Sequence, residues 1–90
     1  MIMTYGLRKY LANHPELKAM PVQDGMNYEV GGTYYCGYWD QAYRVLSLQH
    51  DVPIWYTTVT VLWEDGRTTT HSTSLESKWD AKLVNTSERV

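Results

Sequence analysis

The segment from Ile54 to Thr73, IWYTTVTVLWEDGRTTTHST, constrains this chain more than any other. Almost every residue of Ile54–Trp63 is β-branched or aromatic, the side chains that suit a half-buried pleated surface and lose rotamer freedom in a helix. Asp65-Gly66 supplies the positive φ angles that a tight hairpin turn requires. The expectation is an antiparallel hairpin, with strands at 54–63 and 67–73 joined by a two-residue loop. That register pairs Glu64 with Arg67, Trp63 with Thr68, Val61 with Thr70 and Val59 with Ser72. Glu64 and Arg67 then close the hairpin as opposite charges. One face presents Trp55, Val59, Val61 and Trp63 as core. The other carries Thr58, Thr60, Thr69, His71 and Thr73, relieved only by Tyr56 and Leu62, and is wet.

A lone hairpin is marginal in water, so the rest of the chain must supply partners. Asn27–Val30 is extended and broken by Gly31-Gly32. Thr33–Tyr38 and Gln41–Leu48 are strands around a polar turn at Trp39-Asp40-Gln41, and Gln49–Pro53 is a loop. Leu75–Asp80, capped by Ser74, suits one helical turn, and Lys82–Val84 a short closing strand. The tail Asn85–Val90 is polar and frayed. Only the beginning is helical. Met3, Leu7, Tyr10 and Leu11 share one helical face, Gly6 weakens the helix, and Pro15 stops it near Asn13. Pro15 can open a second short helix over Pro15–Met20, closed by Pro21. With 90 residues there is room for one core. The expected organisation is a single folded unit: a helical arm at 1–22 and a β-domain at 23–90.

Charge and cysteine narrow the function classes. The net charge is −2. In 24–66, Asp24, Glu29, Asp40, Asp51, Glu64 and Asp65 stand against Arg44 alone, and no Lys/Arg cluster offers phosphates a platform. Cys36 is the one cysteine, which rules out an intramolecular disulfide and a cysteine-built zinc site. No signal-like start or membrane-length apolar run is present, and a cytoplasmic protein with no membrane association is expected. His14, His50 and His71 match no compact ligand spacing, and Gly31-Gly32-Thr33 lacks the further glycines or lysine of a phosphate loop. No metal and no cofactor is expected.

The order of elements resembles SH3-like small β-barrels of the Tudor and KOW type, over roughly residues 28–84. The residues that carry it are Val30-Gly31-Gly32-Thr33-Tyr34-Tyr35, Tyr38-Trp39-Asp40-Gln41-Ala42-Tyr43-Arg44-Val45 and Val59–Arg67. The middle string resembles the Tudor pattern of an aromatic loop followed by a Tyr-Arg-Val strand. The last resembles the Trp-Glu-Asp-Gly hairpin of many such barrels. The whole is also similar to small uncharacterised proteins encoded by actinobacteria and their phages. The resemblance implies a mainly β fold, α+β by content: a five-stranded SH3-like antiparallel barrel with an N-terminal helical arm. Such barrels host many unrelated roles, so function must come from a site.

The aromatic residues point to one. The chain has 8 Tyr and 4 Trp but no Phe, so every ring carries an O–H or N–H that needs a partner if buried and can serve recognition if exposed. Tyr28, Tyr34, Tyr35, Tyr38, Trp39 and Tyr43 crowd into one short stretch. They exceed what a small barrel can hold inside, although Tyr34 and Tyr43 also suit its core. Tyr35, Tyr38, Trp39 and Tyr43 beside Asp40 are the candidate binding residues, with Tyr38 and Trp39 in the turn the best placed. An aromatic, acidic face suits a basic protein or peptide partner, including the mode in which a small phage or mobile-element protein inhibits a host protein by covering its basic site. The alternative is a nucleic-acid-binding barrel whose rings stack bases while Arg67, Lys78 and Lys82 meet phosphates. A remoter one is a small enzyme built on Cys36 and His71, set against the ordinary reading of a hydrogen-bonded histidine on a strand. A monomer and a homodimer, paired strand edge to strand edge, are both compatible with the pattern.

Overall fold

In the computed structural model, which describes residues 2–22, 28–50, 57–73 and 79–86, the chain is mainly β. The elements are α1 (Tyr5–Asn13), β1 (Leu17–Pro21), β2 (Thr33–Cys36), β3 (Gln41–His50), β4 (Thr57–Trp63), β5 (Thr68–Thr73) and β6 (Asp80–Asn85). All pairings are antiparallel, and the strands form one open sheet in the order β1-β6-β2-β3-β4-β5. Strands β2 to β5 thus run as a meander, and β6 returns to lie beside β2. The expected strand start at Ile54–Tyr56, most of the helical turn at Leu75–Asp80 and the end of the tail lie outside the described residues.

Among the described residues the sheet has six strands, and β1 is the one that falls where no strand is expected. A second short helix is expected over Pro15–Met20, but the chain pairs Leu17–Pro21 with β6, from Leu17 opposite Asn85 to Pro21 opposite Ala81. Leu17 and Ala19 are half-buried while Lys18 and Met20 are exposed, the two-residue period of a strand. A helix of one or two turns is too short to repay its nucleation, whereas the outer edge of β6 offers a full row of hydrogen-bonding groups. Beyond the strand, Thr86 donates to the Glu16 carbonyl from its N–H at 2.7 Å and from its hydroxyl at 3.1 Å. The end of the expected arm, Leu17–Pro21, is therefore part of the sheet.

Helix α1 begins and ends as its sequence dictates. Thr4 is the N-cap, its hydroxyl accepting from the Leu7 N–H at 3.1 Å. At the other end the His14 N–H donates to the Leu11 carbonyl, and His14 Nδ1 donates to the Tyr10 carbonyl at 2.9 Å. Of the expected apolar face, Leu7 is buried, Tyr10 and Leu11 are half-buried, and Met3 stays exposed.

The hairpin forms, one residue out of the expected register. Leu62 pairs with Thr68 and Val61 with Thr69. The Gly66 N–H donates to the Trp63 carbonyl and the Trp63 N–H to the Arg67 carbonyl, so the loop is Glu64-Asp65-Gly66. Gly66 has φ +92°, the left-handed residue that closes a three-residue loop. The slip changes partners on both faces. Thr69, instead of Thr70, stands opposite Val61 and accepts from Trp63 Nε1 at 2.8 Å. Arg67 bonds Asp65 at 2.8 Å instead of Glu64, which accepts from the Ala42 N–H at the start of β3. Opposite, β3 carries a bulge: Val45 pairs with Val61 and Ser47 with Thr60, with Leu46 as the extra residue. The bulge sends Leu46 to solvent and returns Leu48 to the face of Tyr43 and Val45.

Both faces of the sheet are buried near its centre. On one, Tyr34, Tyr43, Val45, Val59, Val61 and Trp63 form the main core with Val22, Tyr28 and Cys36. On the other, Tyr35, Ala42, Ala81 and Leu83 pack under Leu7 of α1. Small alanines on β3 and β6 let the helix approach, and Gly6 sets how closely. A Cβ at Gly6 would press into Asp40 Oδ1 and lie 2.7 Å from the Tyr35 hydroxyl. Replacing this glycine by alanine favours an isolated helix by about 1 kcal/mol. In this protein Gly6→Ala is instead expected to destabilise by about 1–3 kcal/mol, the usual cost of overpacking. Thermal denaturation reads this directly, and an unchanged or higher Tm would refute the close seating of α1.

Candidate functional site

The five residues singled out from the sequence lie in three different environments. Tyr35 and Tyr43 are on adjacent strands but opposite faces, and both are buried, 3% and 4% exposed. Both belong to the core and neither stands on the surface as a free ring, unlike the surface rings expected from the sequence. Strand alternation explains it: Tyr34 and Tyr43 are cross-strand partners on the main core face, while Tyr35 and its partner Ala42 point under α1.

Tyr38, Trp39 and Asp40 are exposed on the turn between β2 and β3, which spans residues 37–40. Asp40 takes the left-handed conformation, φ 54°, which an aspartate tolerates better than most residues. Tyr38 and Trp39 are 66% and 62% exposed and meet edge to face, ring centres 5.1 Å apart and planes at 80°. A third ring joins them. Trp79, 43% exposed, lies 6.2 Å from Tyr38 at 73°. It arrives because β6 pairs with β2, Asp80 opposite Cys36, and because the Gly37 N–H donates to the Trp79 carbonyl at 2.7 Å. A Cβ on Gly37 would stand 3.0 Å from that carbonyl oxygen. Trp79 was invisible to sequence reasoning, since nothing local says that residues 38 and 79 are neighbours.

Beside the turn, an open groove of about 460 Å³ runs between α1 and the sheet. Tyr5, Lys9 and Tyr10 line it from the helix, and Tyr35, Asp40 and Glu64 from the sheet. The Tyr35 hydroxyl donates to Asp40 Oδ1 at 3.3 Å, and Glu64 Oε1 accepts from the Ala42 N–H at 3.2 Å. Burial, together with the charges of Asp40 and Glu64, pushes the Tyr35 phenol up to about 12. Burial and Glu64 likewise raise Tyr10. Tyr5, 81% exposed, falls outside the apolar helical stripe, so periodicity alone could have marked it as surface. Glu64 enters only through the shifted hairpin register.

A second polar constellation is structural. On the main core face Tyr28 donates to Asp80 Oδ2 at 2.9 Å, and Tyr43 donates to the same oxygen. Burial first, and then the Asp80 charge, lift both phenols far above the ordinary range. Cys36 is buried close by, and burial raises its thiol, which disfavours the thiolate that nucleophilic chemistry needs. The side chain of His71 lies outside the described residues. Among the described residues no three of His, Cys, Asp and Glu gather to hold a metal ion, and no helix is long and apolar enough to cross a membrane.

Against protein-family models, curated proteins and solved structures, the chain finds no match.

The buried phenols make an alkaline prediction. Above the ordinary phenol value of 10.0 the unfolded chain loses tyrosine protons that Tyr28, Tyr35 and Tyr43 retain in the fold. The native state then binds more protons than the unfolded one, so stability falls as pH rises. Urea midpoints should be insensitive to these groups below pH ~9 and drop between about pH 10 and 12. In Tyr43→Phe the protein should be less stable at neutral pH by about 1.5–3 kcal/mol, the worth of a hydrogen bond to a charged group. Its alkaline slope should be shallower by about 1.4 kcal/mol per pH unit. An unchanged slope would show that Tyr43 ionises freely.

Proposed function

We propose that this protein is a small non-enzymatic interaction module with SH3-like strand organisation, which binds a protein or peptide partner through Tyr38, Trp39 and Trp79 beside Asp40. The order of β6-β2-β3-β4-β5 supports the SH3-like part: a meander of β2 to β5 whose last strand, β6, comes back beside the first. The observation that carries the functional part is the edge-to-face row Trp39–Tyr38–Trp79 on the surface. A chain that buries Tyr28, Tyr34, Tyr35 and Tyr43 forgoes the burial of these three rings. Fully burying one large apolar side chain is worth about 1.5–3 kcal/mol. A contiguous aromatic patch left in water is a common mark of a recognition surface, and Trp and Tyr are the side chains that dominate binding hot spots. The rings lean on one another, so they are pre-ordered and lose little entropy on binding. In this role the protein is suited to act as an accessory or inhibitor that covers a partner's basic site.

Nucleic-acid binding is the second reading, because the same rings could stack on bases. Two of the three cations expected to serve it are already paired. Lys82 is paired with Glu29 and Arg67 with Asp65, each at 2.8 Å, while Lys78 lies outside the described residues. Asp40, next to Trp39 in the turn, would repel phosphates.

The test compares fluorescently labelled basic peptides with a mixed-sequence single-stranded oligonucleotide, over a range of salt. Peptide binding should be tighter, and Trp39→Ala should weaken it by tenfold or more, a hot-spot loss of about 1.4 kcal/mol or greater, while Tm moves little. Tighter oligonucleotide binding would overturn the reading, as would a Trp39→Ala variant that binds normally or loses its fold.

A further inference from the structure

We infer that the groove between α1 and the sheet receives a cationic side chain, arginine or lysine, from the partner segment that the aromatic row grips. The inference rests on the protein-partner reading above and adds the chemistry of the anchor. It also makes α1 a wall of the binding site instead of a cover for the sheet.

The groove has the make-up that such a group requires. Asp40 and Glu64 are both among its lining residues, and among the described residues neither forms an ion pair. Their hydrogen bonds are with neutral donors, Tyr35 for Asp40 and the Ala42 N–H for Glu64. Among the described residues each uses one carboxylate oxygen, Oδ1 of Asp40 and Oε1 of Glu64, which leaves the other for a charged donor. Tyr5 and Tyr10 supply aromatic surface beside the carboxylates, and a guanidinium or ammonium gains from both ring face and carboxylate. The same carboxylates also act on the protein's own groups: burial first, and then the charges of Asp40 and Glu64, raise the Tyr35 phenol, and burial first, and then Glu64, raises that of Tyr10.

Lys9 lines the same groove and decides between occupants. It is exposed and among the described residues forms no ion pair. For a cationic occupant Lys9 is a competing charge, whereas an anionic occupant would need it.

The charges can be removed without disturbing the bonds that shape the groove. Glu64→Gln keeps an Oε1 acceptor for the Ala42 N–H. Asp40→Asn keeps an oxygen for the Tyr35 hydroxyl, and asparagine tolerates the left-handed backbone at this position. The probes are a fluorescein-labelled arginine-containing peptide and its twin with citrulline at each arginine, isosteric but uncharged. Anisotropy titrations of the wild-type protein should show the arginine peptide bound about two- to fivefold more tightly, the range of one solvent-exposed ion pair. Glu64→Gln and Asp40→Asn should each reduce that preference, the double variant should abolish it, and Lys9→Gln should increase it. Equal affinity for the two peptides, including no affinity for either, overturns the inference, as does weaker arginine binding in Lys9→Gln. If Trp39→Ala weakens both peptides while the wild type does not distinguish them, the aromatic reading stands and the groove inference alone fails. If the preference for arginine survives in a Trp39→Ala variant of undiminished affinity, the groove stands and the aromatic reading fails.

Discussion

A buried tyrosine must hide a ring and still satisfy a hydroxyl, and this protein meets that demand four times over. Tyr28 and Tyr43 donate to Asp80, Tyr35 donates to Asp40, and Tyr34 accepts from the Glu29 N–H at 2.7 Å. An unsatisfied buried hydroxyl costs about 1–3 kcal/mol. That is a large share of the ~5–15 kcal/mol that holds a typical domain together. Each bond therefore selects a backbone arrangement as well as a side-chain position. The Asp80 contacts hold the start of β6 to β3 and to Tyr28 ahead of β2. The Tyr35 contact ties the β2–β3 turn back to β2.

The surface that the protein offers follows from these internal obligations. Once Cys36 pairs with both Gln41 and Asp80, the turn at 37–40 projects beyond the sheet and leaves Tyr38 and Trp39 exposed. Tyr38 and Trp39 have no core to enter, and Trp79 is delivered beside them by the strand that Asp80 anchors. The same packing seats α1 against Asp40 through Gly6, which creates the groove. Aromatic row and acidic groove are thus neighbours for a mechanical reason: both hang on the β2–β6 pairing.

Much of the organisation was legible from local pattern. The helix ending at Asn13, strands within 33–38 and 41–48, a hairpin turning at Asp65-Gly66 and the exposure of Tyr38 and Trp39 follow from periodicity and turn chemistry, whereas β3 runs on through Gln49 and His50, where a loop is expected, because both pair with β4. The errors share a cause. The hairpin slipped by one residue because Asp-Gly suits both a two-residue loop and the end of a three-residue loop, and only the packing of Trp63 on Thr69 and Val61 in the core selects between them. Leu17–Pro21 became a strand because β6 had an edge to cover, which no window of the N-terminal sequence contains. The bulge at Leu46 likewise answers to the partner strand.

By itself, the sequence determined that the chain is mainly β, that its rings would need polar partners, and that its central stretch would be acidic. These properties reside in single residues and short windows, where propensity and charge act directly. The tertiary structure decided which tyrosines are core and which rings are surface, since Tyr34, Tyr35 and Tyr43 differ in fate only by the face they occupy. It alone brought Trp79 to Tyr38 and placed Glu64 with Asp40 under α1. Contacts across tens of residues depend on strand register and pairing order, and those are set by the joint burial of both sheet faces.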